Sequence, residues 1–206
     1  MPQASPPGAD DIAYIRHLSE SGARAPLIGG RFMAWWGFLL VVAYIAQHLA
    51  TTGQVGDGKF IFAIIWGGFA LLGIAGQLIL ARGLAGKPGQ GSAGNLAMRA
   101  VWVRGAFSIG AMVVGTGIIS DARVAGIRPW DFIVPVAFAV YACALGVTGS
   151  LAGNFILKLA AAVAVLMVGL FTALIQQPER YLLVAAGVAA TVMLPGLLLM
   201  RAEPKG

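Results

Sequence analysis

Six long apolar runs follow one another along the chain, and charged residues lie almost entirely in the short segments between them. The runs are Phe32 to Ala50, Phe60 to Ala81, Val101 to Ser120, Phe132 to Gly149, Phe155 to Ile175 and Tyr181 to Met200. Each has about 18 to 22 residues, which at about 1.5 Å per residue matches a hydrocarbon core of about 30 Å. None shows the alternating pattern of a barrel strand. The pattern predicts an all-α, polytopic membrane protein with six transmembrane helices in a bundle.

Composition agrees with a membrane location. Hydrophobic residues make up 59% of the chain and charged residues 11%, whereas soluble domains average about 45 to 50% and about 25%. We divide the chain into an N-terminal segment (1–31), a transmembrane domain (32–200) and a short tail (201–206). The net charge is +6. The Lys and Arg residues of the chain are scattered beside the helices, without interleaved aromatic residues. A lipid bilayer is therefore the expected partner, and nucleic acid is not.

The N-terminal segment has the pattern of a short helix. Asp10 or Asp11 is a suitable N-cap, and Ile12, Ile15 and Leu18 follow at three-residue spacing. We expect a weakly amphipathic helix that lies along the membrane surface. It serves either as an interfacial anchor or as a docking element for a cytoplasmic partner.

The distribution of Lys and Arg predicts the orientation in the membrane. With six spans both termini lie on one side, and ten of the fourteen Lys and Arg residues fall on that side. The other four are Lys59, Arg123, Arg128 and Arg180. The positive-inside rule applies to short loops such as these, so both termini are expected in the cytoplasm.

The segment from Arg82 to Ala100 is basic and rich in glycine. It contains Gly89-Gln90-Gly91-Ser92-Ala93-Gly94, which fits the GxGxxG spacing of a dinucleotide site. Such a site needs a preceding strand and an acidic residue about 20 positions later. Here an apolar helix precedes the glycines, and the next acidic residue, Asp121, is expected across the bilayer. We interpret the segment as a loop with four candidate contacts to anionic lipid or a protein partner: Arg82, Lys87, Arg99 and Arg104.

The apolar runs contain few groups that could perform chemistry. All eight acidic residues lie outside the helix centres, which argues against ion-coupled transport. No paired Asp, HExxH motif or Ser/His pair stands at membrane depth. Cys143, the single cysteine, is expected to be a small buried apolar residue. His48 has no second histidine on its side of the bilayer, so we predict no haem, no metal and no other cofactor.

Small and polar residues within the runs predict helix contacts. The second and third runs contain many small residues, which predicts that these two helices form the tight centre of the bundle. They are Gly67, Gly68, Gly73, Gly76, Ala106, Gly110, Ala111, Gly115 and Gly117. Five polar residues are expected to form interhelical hydrogen bonds: Gln77, Thr116, Thr148, Thr172 and Thr191. Pro195 followed by Gly196 predicts a kink near the end of the last helix.

Two stretches of the sequence suggest a family. Asp11-Ile12-Ala13-Tyr14-Ile15-Arg16, followed by Ala25-Pro26-Leu27, is one. The ending Leu194-Pro195-Gly196-Leu197-Leu198-Leu199-Met200-Arg201-Ala202-Glu203-Pro204 is the other. Both resemble segments of small polytopic inner-membrane proteins of proteobacteria that have no assigned activity. The resemblance implies a bacterial cytoplasmic membrane and carries over no catalytic residue.

Two functional hypotheses follow. The first is a non-enzymatic accessory or regulatory membrane protein that binds a protein partner, a second copy of itself or a lipid. The second is a substrate-binding membrane component or small transporter for an apolar or neutral solute. A polar-lined cavity near Gln47, His48 and Trp130, on the side opposite the termini, would favour the second hypothesis. A tightly filled bundle would favour the first.

Overall fold

The fold is all-α, as the apolar runs predicted. A computed structural model describes residues 12, 26–55, 60–83, 89–119, 127–177 and 179–203. The first five spans contain the helices α1 (Gly30–Thr51), α2 (Ile61–Arg82), α3 (Ala93–Ile118), α4 (Ile133–Leu151) and α5 (Phe155–Ala173). A 3₁₀ turn (Pro129–Phe132) leads into α4. Each of the six spans is long and apolar enough to cross a membrane. The short interfacial helix expected before α1 lies outside the described residues, apart from Ile12.

The sixth span contains one widened helical turn. It consists of α6 (Arg180–Val188), a π-helical turn (Ala189–Met193) and α7 (Leu194–Ala202). Pro195 in α7 has no backbone N–H, and its ring crowds the carbonyl group four residues earlier, so the helix must bend or widen nearby. The sequence predicted a disturbance at Pro195 and Gly196. The structure places it immediately before them, as the π-helical turn.

Within the described residues, consecutive helices pack on one another except α2 and α3, and the first and last spans are also neighbours. α1 packs between α2 and the sixth span, the sixth span packs on α5, α5 on α4, and α4 on α3. In the most apolar part of each span, 50% of the sixth-span residues are buried, against 6% in α2 and 11% in α3. The core is therefore formed mainly by α1, α4, α5 and the sixth span, and α2 and α3 lie at its flanks.

The expectation that α2 and α3 form the tight centre of the bundle is wrong. Within the described residues these two helices share no extensive contact. Four of their glycines face open space, because an added Cβ atom would meet no atom within 4 Å: Gly67, Gly68, Gly110 and Gly115. Two other glycines of α2, Gly73 and Gly76, lie under the indole rings of Trp36 and Trp35 in α1. α2 thus uses its small residues to pack against α1.

Among the described glycines, those of α1 and the sixth span make the closest approaches to the backbone of another helix. A Cβ atom added at Gly30 or Gly37 would lie 2.5 or 2.7 Å from backbone atoms of that span. Gly196 meets the backbone of α1 at Ala34 in the same way. Only residues without a Cβ atom permit such contacts, and small residues are a common means by which transmembrane helices approach one another. Gly30, Ala34 and Gly37 therefore form a small-residue motif that was not predicted from the sequence.

Polar residues inside the spans bond mostly within their own helices. Gln77 makes the expected interhelical hydrogen bond, because its Oε1 accepts from Nε1 of Trp36 at 2.8 Å. The four threonine hydroxyls form no such interhelical bond and instead donate to carbonyl groups one turn earlier in their own helices. These residues are Thr116, Thr148, Thr172 and Thr191. Because this carbonyl accepts the hydrogen bond of the hydroxyl, the threonine needs no partner on a second helix. Cys143 also differs from expectation, since it is exposed on α4.

The glycine-rich segment ends in a helix cap. α3 begins at Ala93 rather than near Val101, and the Ser92 side chain caps it by accepting from the backbone N of Asn95 at 3.4 Å. Gly89 has a φ of 88°, a left-handed conformation that favours glycine. The GxGxxG match is therefore a turn and a cap that follow helix α2, and it lacks the strand of a dinucleotide site.

The buried side chain of Asn95 joins this turn to the chain that precedes α1. Its Oδ1 accepts from the backbone N of Ile28 at 3.0 Å. Its Nδ2 donates to the carbonyl of Pro26 at 3.0 Å and to that of Gly89 at 2.9 Å. One amide thus connects the starts of α1 and α3, although these helices are not neighbours within the bundle.

Replacing Asn95 with Ala should lower the free energy of unfolding by about 2 kcal/mol, because the buried N–H of Ile28 loses its acceptor. Asn154→Ala is a matched control, since that side chain accepts a single hydrogen bond as the N-cap of α5. Asn154→Ala should lower the free energy of unfolding by about 1 kcal/mol. Unfolding of both variants in mixed micelles measures the difference, and an equal cost for the two would contradict the role of Asn95.

Candidate functional site

Positive charge is concentrated at one end of the bundle, which we call the basic end. It contains the starts of α1, α3 and α5 and the ends of α2, α4 and the sixth span. Six of the eight described Lys and Arg residues belong to it: Arg31, Arg82, Arg99, Arg104, Lys158 and Arg201. Arg128 and Arg180 belong to the opposite end. The described residues thus keep the charge asymmetry counted from the sequence.

Three of the four candidate contacts for lipid or a partner are exposed at the basic end. Arg82 ends α2, whereas Arg99 lies in the second turn of α3 and Arg104 in its fourth turn, rather than in a loop. Nη1 of Arg104 donates to the carbonyl of Ala100 at 3.3 Å, and this contact leaves its other donors free to face headgroups. Lys87 lies outside the described residues.

An ion pair that was not predicted from the sequence ties α1 to the end of the sixth span. Nη2 of Arg31 lies 2.5 Å from Oε2 of Glu203, with side chains 19% and 3% exposed. Nη1 of Arg31 also donates to the carbonyl of Gly83 at 3.5 Å. Arg31 therefore connects the start of α1 with the ends of both of its neighbours in the bundle.

A groove of about 320 Å³ lies next to this ion pair. α1 forms its floor, because α1 packs between α2 and the sixth span. The lining residues are Arg31, Ala34, Trp35, Phe38, Leu80, Met193, Leu197 and Met200. Apart from Arg31 at one end, these side chains are apolar. The groove is therefore apolar along its length, with the Arg31–Glu203 ion pair at one end.

Aromatic and polar side chains form a connected cluster at the opposite end of the bundle. Oε1 of Gln47 in α1 accepts from Nε1 of Trp66 in α2 at 3.0 Å. The Trp66 ring meets Tyr44 edge-on, with centroids 5.3 Å apart. Tyr44 in turn stacks on Tyr181 of the sixth span at 6.4 Å. These four residues, which we call the aromatic cluster, hold α1, α2 and the sixth span together.

The aromatic cluster ends at a buried carboxylate. The Tyr181 hydroxyl donates to Oδ1 of Asp131 at 2.9 Å, and Asp131 is 6% exposed. Nη2 of Arg180 lies 3.5 Å from the same oxygen, and its guanidinium lies 4.7 Å from the centre of the Tyr181 ring. A buried carboxylate is tolerated when it is paired and hydrogen-bonded, and both conditions hold here. The contacts fasten the start of α4 to the sixth span.

The three residues of the candidate polar cluster on the side opposite the termini, Gln47, His48 and Trp130, have different partners. Gln47 belongs to the aromatic cluster. Trp130 lies in the 3₁₀ turn and faces α3, where a Cβ atom added at Gly117 would be 3.5 Å from its ring. The carbonyl of His48 accepts from two threonine hydroxyls at 2.9 Å each. Asp131, next to Trp130 in the sequence, makes the buried polar contacts that the sequence reasoning had not assigned.

Replacing Tyr181 with Phe should lower the free energy of unfolding by about 2 kcal/mol, because the buried Asp131 loses a charge-assisted hydrogen bond. Thr172→Val is a suitable control, since that hydroxyl is exposed and bonds only to its own helix at 2.7 Å. Thermal unfolding in detergent compares the two variants. A loss no larger than that of the control would show that the Tyr181–Asp131 bond contributes little.

Within the part of the chain that the structure describes, no three His, Cys, Asp or Glu side chains are placed to hold a metal ion. At the opposite end Gln47 and Asp131 are hydrogen-bonded to other side chains, and at the basic end Arg31 lines the groove. Comparison of the chain with protein-family models, curated proteins and solved structures finds no match.

Proposed function

We propose that this integral membrane protein is a non-enzymatic accessory or regulatory component that binds a transmembrane helix of a protein partner. The observation that carries the proposal is the set of open glycines on the flanking helices: Gly67, Gly68, Gly110 and Gly115. Transmembrane helices associate where small residues let their backbones approach closely. Gly30 and Gly196 allow such close backbone contact inside the bundle. The open glycines of α2 and α3 would allow the same contact with a helix of another protein.

Neighbouring small residues extend both open faces. Ala63 and Ala70 are exposed one turn before and one turn after Gly67 on α2. Ala106 and Ala111 on α3 are exposed as well, four residues before Gly110 and Gly115 respectively. Residues at these spacings lie on one side of a helix. Each flanking helix thus presents a shallow surface into which a second helix can fit.

The alternative function, binding or transport of an apolar or neutral solute, has less support. It calls for free polar groups around Gln47, whose amide oxygen is instead bonded to Trp66. Asp131 is paired with Tyr181 and Arg180. Catalysis would likewise need titratable groups that converge on a substrate. The side chains of Asp131, Tyr181 and Arg180 instead contact one another.

The proposed location is the bacterial cytoplasmic membrane, with both termini in the cytoplasm. The support is the excess of Lys and Arg at the basic end, where the positive-inside rule places the cytoplasm. A periplasm-dependent phosphatase fused to the C-terminal tail should be inactive, and the same enzyme fused between α1 and α2 should be active. The reverse pattern would contradict the proposed orientation.

A photocrosslinking amino acid placed at Gly110 in native membranes tests the proposed partner. It should give one discrete protein adduct, and Gly115→Leu should remove that adduct by filling the adjacent surface. The control position is Leu159, which is 55% exposed on α5 and lies one turn after the large exposed side chains of Phe155 and Ile156. An adduct of twice the mass of the chain would identify a second copy as the partner. Equal labelling from both positions, or lipid adducts alone, would contradict the proposal.

A further inference from the structure

We infer that the groove between α1, α2 and the sixth span binds one acyl chain of an anionic phospholipid, with its phosphate against the arginines of the basic end. The inference goes beyond the proposed protein partner and is independent of it. The groove involves no residue of α3, and its contribution from α2 is Leu80. Leu80 lies several turns away from the open glycine Gly67.

The groove runs along the helix axes. Its lining on α1 extends from Arg31 to Phe38 and on the sixth span from Met193 to Met200, which is about 10 Å at 1.5 Å per residue. The two helices are antiparallel, because Gly30 approaches Met200 whereas Gly37 approaches Met193. Arg31 and Met200 therefore lie at the basic end, and Phe38 and Met193 lie deeper. A phospholipid has the same order, with its charged group at the interface and its chain inside.

An apolar lining alone would not select a ligand within a bilayer. Lipid chains are as apolar as the side chains of a transmembrane helix, so the hydrophobic effect adds little there. Bulk lipid can cover Leu80 or Leu197 without any specific site. Selection therefore has to come from the charged groups where the groove begins.

Arg31 lines the groove at the basic end, and two more arginines and one carboxylate adjoin or contact residues at this end. Arg31 lines it directly, and its Nη1 contacts the carbonyl of Gly83, the residue that follows Arg82. Arg201 follows the lining residue Met200 and lies one turn beyond Leu197 on the same helix face. Against these three cations the described residues place Glu203 alone. The excess positive charge matches a phosphate, which accepts charge-assisted hydrogen bonds from guanidinium groups.

Native mass spectrometry of the delipidated full chain tests this inference. Phosphatidylglycerol and phosphatidylcholine with identical acyl chains are the two probes, added in turn to the protein in detergent. We expect one phosphatidylglycerol to bind at least tenfold more tightly than phosphatidylcholine. Leu197→Trp and Leu80→Trp fill the groove from opposite walls, and each should abolish the preference while the protein keeps its melting temperature.

Charge variants test the headgroup contact. The double variant Arg82→Gln, Arg201→Gln should weaken phosphatidylglycerol binding about tenfold, equivalent to about 1.4 kcal/mol. Arg128→Gln, Lys158→Gln removes the same charge at exposed positions outside the groove and should leave binding unchanged, as should Leu166→Trp on α5. Inorganic phosphate should not compete.

Several results would overturn the inference. They are equal affinity for both lipids, unchanged binding in both folded Trp variants, or equal weakening by the two double charge variants. Competition by inorganic phosphate would assign the arginines to a free anion. A protein adduct from a photocrosslinker at Leu197 in native membranes would assign the groove to a partner helix.

Discussion

Replacing Glu203 with Ala should lower the free energy of unfolding by about 3 kcal/mol, because it removes one partner from a largely buried ion pair. The Glu203 side chain is 3% exposed, and its Oε2 lies 2.5 Å from Nη2 of Arg31. Arg31 would keep the carbonyl of Gly83 but lose its opposite charge. Since this ion pair joins the start of α1 to the end of the sixth span, the loss weakens the association of two core spans. Unfolding in mixed micelles measures it.

Glu179→Ala is the matched control for this change. Glu179 is exposed and makes no side-chain cap to α6, so its removal should change stability by no more than about 0.5 kcal/mol. Replacing Arg31 and Glu203 together with Leu should cost less than Glu203→Ala, because no unpaired charge remains. Equal small losses for Glu203→Ala and Glu179→Ala would contradict a structural role for the ion pair.

The second large effect is expected from Gly196→Ala, at about 3 kcal/mol of lost stability. The new Cβ atom would lie 2.7 Å from Cβ of Met33 and would also meet the backbone at Ala34. Backbone atoms cannot move aside as a flexible side chain can, so α1 and the sixth span would have to separate. Thermal unfolding in a mild detergent, followed by circular dichroism, measures the loss.

Gly110→Ala is the control for this substitution, because it makes the same change on α3. A Cβ atom there meets no atom of the described part of the chain within 4 Å. Alanine is the better helix former by about 1 kcal/mol, so the variant should be neutral or slightly more stable. A destabilised Gly110→Ala together with a neutral Gly196→Ala would reverse the assignment of core and flanking helices.

The number and type of the helices could be predicted from the sequence because the bilayer imposes both. A run such as Phe60 to Ala81 must satisfy its backbone groups internally across about 30 Å of hydrocarbon, which leaves a helix of about 20 residues as the solution. The start of α3 at Ala93 was missed for a related reason. Its first turns lie outside the most apolar stretch and are held by the side chains of Ser92 and Asn95.

The neighbours of each helix could not be predicted, because small residues occur on several spans. Gly110 and Gly196 both stand in runs of apolar residues, and local sequence does not show which one faces another helix. The outcome depends on the opposing surface. Gly196 faces Ala34 of α1, and Gly110 faces none of the residues that the structure describes. The open glycines on α3 are therefore informative only once the packing is known.

The buried polar contacts were missed because their partners are far apart in the sequence. Asp131 and Tyr181 are 50 positions apart. Each stands at the beginning of an apolar run, and both runs start on the same side of the membrane. This shared depth in the bilayer could have indicated that the two side chains meet. Arg31 and Glu203 likewise flank the first and last runs. Matching charged and polar residues by depth would have suggested both pairs.

Disulfide crosslinking in native membranes tests most directly whether α3 packs on α4 and leaves α2 apart. In a Cys143→Ala background, Gly94→Cys with Ala152→Cys should form an intrachain disulfide. The Cβ atoms at these positions would lie 3.7 Å apart, close to the usual disulfide separation of about 3.8 Å. Gly67→Cys with Gly110→Cys should form none within one chain, because those faces are open. An intrachain crosslink of the second pair would contradict the arrangement and the partner surface inferred from it.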